Sequence, residues 1–329
     1  MSKDIRTEIE AILDTKMEID HLVVDEEASL VTVVIQGTAL DTKAEKALSR
    51  QIAKVVKIDF GYKGLKLAMP QGTEVVREKT ATGIKYLTIT SGKGGVGKST
   101  VAGNLAVALA RLGKKVGMID ADIYGPSLPK IFNLQEPKLL MNADKKIIPA
   151  LTNEGIALMS TEFLTEDDQP LMWRGPMLGR MLGHFFNDVK WDEDTDYIII
   201  DLPPGTGDVP MDIKNHIPEA KTIVVTTPNK MASHIAIKSG QMAEHLGHDL
   251  LGVVENMSYF TNSLNGAREK IFGTGGGQLV AEKLATELLA EIPIAQVKER
   301  FDSGIFAIHE ENGLAYLGLA NKVLKSDEL

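Results

Sequence analysis

Residues 90–100 read TSGKGGVGKST, and they decide the fold. The stretch satisfies G-x-x-x-x-G-K-[ST] through Gly92, Gly97, Lys98 and Ser99. It lies between an apolar run, IKYLTIT (84–90), and a helical segment that begins at Lys98. Strand, glycine-rich loop and helix in that order are the context a phosphate-binding loop needs. Glycines let backbone N–H groups turn inward around phosphate oxygens, and the helix N-terminus adds partial positive charge. The cradle spans Gly92, Gly94, Gly95, Val96, Gly97, Lys98, Ser99 and Thr100. Lys98 is expected to reach the β- and γ-phosphates of ATP, and Ser99 to ligate Mg²⁺.

Working outward, KVGMID, YIIIDLP, TIVVTTP and LLGVVENM are short runs rich in β-branched residues and leucine. They alternate with helical segments such as STVAGNLAVALARLG and HIAIKSGQMAEHLG. Unbroken apolar strands alternating with helices predict an α/β fold with a mostly parallel sheet covered by helices on both faces. Ligands of such sheets bind at the carboxyl ends of the strands. Two acidic strand ends therefore join the site: Asp120 and Asp122 in MIDADIYGPS, and Asp201 in YIIIDLPPGTGD. Carboxylates placed there hold Mg²⁺ or orient an attacking water. For Asp120 a turn or cap carboxylate is the competing reading. Gly205 and Gly207 would let their loop approach the γ-phosphate. Asn256 closes LLGVVEN, where an amide can read an adenine edge or form a turn.

Before residue 71 the character differs. KDIRTEIEAILDTK and DTKAEKALSRQIAKVV have helical spacing, while LVVDEEASLVTVVIQG and GYKGLKLAM read as strands, predicting a small α+β domain over 1–70. Residues 71–83, QGTEVVREKTATG, read as a linker, leaving 84–329 for the ATPase domain. The balance of 36 Lys+Arg against 45 Asp+Glu, −9 in all, argues against a generally basic nucleic-acid surface but leaves room for a local patch that contacts DNA. The charged N-terminus has no apolar signal region, and no run approaches the ~18 apolar residues of a membrane span, so a cytoplasmic protein without membrane partners is expected. With no cysteine in 329 residues, disulfides, thiolate metal sites and cysteine nucleophiles are excluded together.

Lys93, inside KGGVGK, makes the loop resemble that of the SIMIBI class of P-loop proteins, the kin of MinD, ParA and nitrogenase iron protein. The resemblance implies that Lys93 reaches a partner's nucleotide across a homodimer with ATP at the interface. It also implies that Asp122 orients water as the switch I residue, that Asp201 is the Walker B carboxylate, and that Asn256 meets adenine. More narrowly, GKGGVGKST, DADIYGPSLP, WRGPM (173–177), DLPPGTGD, ENMSYF and IFGTGGG, in this order, resemble the Mrp/ApbC family of iron–sulfur cluster carrier ATPases. The N-terminal domain is similar to a divergent MIP18-type module. The family implies Mg²⁺-dependent ATP hydrolysis, a bridging iron–sulfur cluster, and apo-protein or assembly-protein clients.

One block departs from the pattern. Between ENMS and IFG the family carries C-x-x-C, and ungapped alignment on those blocks puts the two positions at Asn262 and Asn265. A neutral, hard amide is a poor ligand for cluster iron, which thiolates hold overwhelmingly. Two functions remain open: a carrier or assembly ATPase, and an ATP-switched regulator that binds protein or DNA without a cluster. A membrane-positioning ATPase is disfavoured, because GLAYLGLANKVLKSDEL lacks a strongly basic amphipathic face. Arg174 and Arg180 are the arginines to consider beside the phosphates, although neither adjoins the loop in sequence.

Overall fold

The computed structural model describes the chain apart from residues 1–3, 14–16, 26–28, 38–41, 69–82, 124, 135–139, 165–174, 206–208, 299–302 and 328–329. The chain divides into two compact units, Met1–Lys79 and Thr80–Leu329. The division falls within the stretch read as a linker, of which 71–82 lie outside the described residues.

In the first unit, α1 (Ile5–Glu10) precedes a hairpin of β1 (Met17–Asp25) and β2 (Leu30–Gly37); α2 (Thr42–Lys54) then leads to β3 (Gly64–Ala68). β1 pairs antiparallel and β3 parallel with β2. Val31, Val33 and Ile35 point to one face with 0–2% exposure, as the two-residue period of a strand dictates, and meet Ile9 and Ile52 from the two helices and Val56 from the π-helical turn Val55–Asp59 that follows α2.

The second unit is built on an eight-stranded sheet. Its strands are β4 (Lys85–Ser91), β5 (Val116–Asp120), β8 (Ala150–Leu151), β9 (Ala157–Ser160), β10 (Tyr197–Asp201), β11 (Lys221–Thr226), β12 (Asp249–Glu255) and β15 (Leu288–Glu291), in the order β15-β12-β11-β4-β10-β5-β9-β8. All neighbours run parallel except β8, which turns back on β9. The apolar runs read as strands from sequence are β4, β5, β10, β11 and β12; β8, β9, β15 and the hairpin of β6 (Leu140–Met141) and β7 (Ile147–Ile148) are additions to them.

Both faces are covered, which is why the strands are apolar without a break. Leu87, Ile89, Ile199, Ile223 and Val225 pack on one side with α3 (Lys98–Arg111) and α9 (Glu311–Ser326). Tyr86, Ile119, Ile198 and Ile200 pack on the other with α5 (Gly175–Asn187) and α6 (Val209–His216). Val224 and Val253 meet α7 (Lys230–His245) and α8 (Gly276–Lys283) on that same side. α4 (Leu128–Ile131) is a single turn after β5. Central β4 has β10 on one side and β11 on the other, and the chain leaves it in both directions. Its carboxyl end is therefore the crevice where such sheets take ligands.

The C-terminal segment is a docked helix: Tyr316, Leu319, Ala320 and Val323 of α9 are buried in the core that α3 shares. Among the described residues no helix is long and apolar enough to cross a membrane. Asp327, just beyond α9, fastens this helix to the amino ends of three strands. Its carboxylate accepts from the Tyr197 hydroxyl and from Lys221 Nζ at 3.0 Å, and lies 3.2 Å from Lys85 Nζ. Burial alone would raise the Asp327 pKa, but these bonds outweigh it and hold the group below its ordinary value. Asp327→Ala is expected to lower unfolding stability by about 1–3 kcal/mol at neutral pH, the range for charged hydrogen bonds. The depressed pKa means that this stabilisation is complete above about pH 4 and is lost as pH falls through the folded value. The gap between the melting curves of parent and variant should therefore narrow progressively as pH falls below about 4; a gap that stays constant down to acid unfolding rejects the ionic latch.

Candidate nucleotide site

β4 delivers the chain to the loop 92–97, and α3 begins at Lys98 with Gly97 as its cap in the left-handed region, φ 83°. Two glycines are needed here for close approach. A side chain at Gly92 would collide with the α7 backbone at Ile235 and Ala236, and one at Gly97 would overlap the Asn256 amide. Gly94, Gly95 and Lys93 are exposed, whereas Val96 is buried. The first-turn N–H groups of α3 have no helical acceptor and remain for an anion. Thr100 stands in that turn, and its carbonyl accepts from Asn104 Nδ2 at 2.9 Å.

Lys98 is 6% exposed, and its ammonium organises the site. It donates to Asp201 Oδ1 at 2.7 Å and to Ser99 Oγ at 3.4 Å, and lies 3.8 Å from Asp122 Oδ2. The four residues come from the first turn of α3, the loop after β5 and the end of β10, so the sheet brings them together. Burial pushes the Asp201 pKa up, while Lys98 and Ser99 pull the other way. Asp201 Oδ2 is buried and has no hydrogen-bond partner among the described residues. An orphaned buried carboxylate oxygen beside a serine hydroxyl and a second carboxylate is a hard-oxygen donor set, which fits Mg²⁺.

Asp120 is directed elsewhere. One oxygen accepts the backbone N–H groups of Ser127 and Leu128, each at 3.0 Å, and the other that of Asp122 at 3.2 Å. These bonds match the turn-carboxylate reading of the sequence; no ligand role for it is visible in them. Burial and the Asp201 charge push its pKa up to about 7 against those bonds. Gly205 has φ 96°, and its N–H donates to Ser91 O at 2.8 Å, so the loop after β10 folds over the root of the phosphate loop. Asn256 Nδ2 donates to Val96 O at 2.9 Å, tying the end of β12 to the cradle. Gly207, Arg174 and the side chain of Arg180 lie outside the described residues.

The segment FTNSLNG (260–266) forms most of a small hairpin, β13 (Phe260–Thr261) against β14 (Arg268–Glu269). Asn262 N–H donates to Ala267 O, and Gly266 N–H to Asn262 O. Both asparagine side chains are committed to the turn. Asn262 Oδ1 accepts from Leu264 N–H at 3.0 Å, and Asn262 Nδ2 donates to Glu269 Oε1 at 2.9 Å. Asn265 Oδ1 accepts from Ala267 N–H at 2.9 Å. Asparagine is a favoured turn former for this reason. Neither residue offers a cluster ligand, and among the described residues no group of three or more His, Cys, Asp and Glu side chains is placed to hold a metal. An iron–sulfur cluster does not fit this hairpin.

Comparison with known proteins agrees with the fold and loop. The family model described as ParA, NUBPL iron-transfer P-loop NTPase, matches residues 84–325. The iron–sulfur cluster carrier protein of Bacillus subtilis is 45% identical over 241 residues, covering 72% of this chain and 67% of the relative. That of Methanocaldococcus jannaschii is 41% identical over 243 residues, covering 73% and 83%. Among solved structures, the nucleotide-binding protein from Archaeoglobus fulgidus in complex with ADP superposes with TM-score 0.57 at 35% identity, over 71% of this chain and 87% of that one. The MinD protein of Pyrococcus horikoshii, complexed with Mg-ADP, reaches TM-score 0.55 at 22% identity over 74% and 97%, a likeness of fold alone. The chain belongs to the ParA-type P-loop NTPases of the iron-transfer, or iron–sulfur cluster carrier, family.

Proposed function

We propose that the protein is a cytoplasmic, Mg²⁺-dependent ATPase that works as a homodimer, serving iron–sulfur maturation without holding a cluster on Asn262 and Asn265. The observation that carries this reading is the buried Lys98 ammonium between Asp201, Ser99 and Asp122, with one Asp201 oxygen unpartnered among the described residues. A triphosphate entering the cradle takes over Lys98 at its β- and γ-oxygens, and the first-turn N–H groups of α3 meet the remaining charge. Ser99 and Asp201 would hold Mg²⁺, which would supply neutralisation of phosphate charge. Asp122 orients water for in-line attack. Asn256, already bonded to Val96, borders the base.

Lys93 is exposed where Lys98 is buried, as a group meant for a second copy must be. Lys93→Ala should keep nucleotide binding in the monomer but lose the ATP-induced increase in mass seen by light scattering in the parent. An unaltered ATP-dependent mass would reject the cross-dimer role. The second reading, a nucleotide-switched regulator of a protein or DNA partner, is favoured by the asparagine-closed hairpin. It shares the same ATPase core.

A further inference from the structure

α7 touches the nucleotide site at two points. At Ile235 and Ala236 its backbone presses on Gly92, the first glycine of the phosphate loop. One turn on, Ser239, 4% exposed, lies 3.0 Å from the hydroxyl of Thr90 at the end of β4 and 3.4 Å from the carbonyl oxygen of Gly205. Ser239 has a single hydroxyl hydrogen, and only a hydrogen can satisfy the Gly205 carbonyl. The direction is therefore fixed: Thr90 donates to Ser239, and Ser239 donates to Gly205. Leu202, Met242 and Ala243 wall the same recess with apolar groups. The Thr90–Ser239 pair is buried and the Ser239–Gly205 contact part-buried.

We propose that Ser239 is a positioning residue for the loop after β10, holding Gly205 in register with the phosphate loop so that Asp201 and the attacking water are set for reaction. Gly205 is held from its two sides, by Ser91 O at its N–H and by Ser239 at its carbonyl. The first contact belongs to the phosphate-loop strand and the second to α7, so a shift of either element is felt by the loop. At 3.4 Å the Ser239–Gly205 contact is a long hydrogen bond. This role rests on the ATPase reading given above.

The test is steady-state ATP turnover and fluorescent-ADP binding for the parent, Ser239→Ala, Ser239→Thr, Thr90→Val and Thr222→Val. Backbone hydrogen exchange of the peptide containing Gly205, with Mg²⁺ and a non-hydrolysable ATP analogue, runs beside it. Thr222 shares a 2.7 Å hydroxyl pair with Thr88 in the same recess but does not touch Gly205 through it, so it controls for damage to buried polar packing. Ser239→Ala and Thr90→Val should lower kcat roughly 3- to 10-fold, the effect of one lost hydrogen bond, and speed exchange at Gly205. Nucleotide affinity should stay within about twofold, since no Ser239 contact is to the ligand. Ser239→Thr, which restores the hydroxyl, should recover turnover, and Thr222→Val should match the parent. Unchanged kcat and exchange in Ser239→Ala, no rescue by threonine, or an equal loss in Thr222→Val each overturns the proposal. A parent that binds nucleotide without hydrolysing it instead overturns the ATPase reading, and the exchange measurement still decides the role of Ser239.

Discussion

Lys98→Ala should reduce ATP turnover to background, a loss of at least about 10²–10³ in kcat, the scale seen when one preorganised charge-stabilising donor is removed. Lys98 is nearly fully buried, and its Nζ is the only ammonium placed by the described residues among Asp201, Asp122 and Ser99. Among the described residues no second ammonium stands there to replace it, and the γ-phosphate loses one of its counter-charges as charge develops on it. Removing one partner of a buried ion pair also costs stability, about 3–5 kcal/mol when the other charge must stay ionised. Asp201 has a way out. Its pKa is already pushed up by burial, and loss of Lys98 removes the opposing pull, so uptake of a proton lessens that cost. Circular dichroism should then show a folded protein, and phosphate release under saturating Mg²⁺ and ATP should be absent. Retained turnover in the folded variant would remove the assignment of the site.

Much of the site was legible in the sequence because its signals are local. The phosphate loop needs particular residues at fixed spacing between a strand and a helix, and KGGVGKST supplies them within a dozen positions. Asp122 and Asp201 were legible as well, since an apolar strand that ends in a carboxylate places it at the carboxyl edge of the sheet. What sequence spacing does not carry is contact between distant segments. Asp120 looks as good a metal ligand as Asp201 until α4 turns its backbone N–H groups toward it. Asn256 reads as an adenine or turn residue, yet its amide meets Val96, 160 positions away. Ser239 carries no signal at all: a serine in an amphipathic helix is ordinarily solvated, and only the packing of α7 on Gly92 makes it a neighbour of Gly205. The antiparallel edge strand β8, two residues long, is too short for any periodicity to register.

Anaerobic reconstitution with iron and sulfide should leave the parent colourless after desalting, while Asn262→Cys/Asn265→Cys gains visible absorption with about one cluster per dimer. The parent's failure follows from chemistry and geometry together. Cluster iron is held by thiolates, with imidazole as the main protein alternative. Here the two positions carry neutral amides whose oxygens already accept Leu264 and Ala267 N–H groups. To ligate anything, each asparagine would have to release a turn bond and still present a hard donor to a soft metal. The double variant places two thiols where the family resemblance puts its C-x-x-C, on a hairpin that also has backbone pairing between Phe260–Thr261 and Arg268–Glu269 to hold its shape. The substitutions remove the Asx bonds, so the variant should melt lower by an amount equivalent to about 1–3 kcal/mol, with ATP turnover unchanged. A parent that retains stoichiometric iron and sulfide would show that ligands outside this hairpin serve the cluster. A double variant that stays colourless would mean that the hairpin does not bring two copies' thiols together, and the regulatory reading would gain. If only the double variant colours, the ATPase core keeps the carrier architecture and the asparagines alone separate this chain from cluster ligation, because two side chains have exchanged metal donors for turn closure.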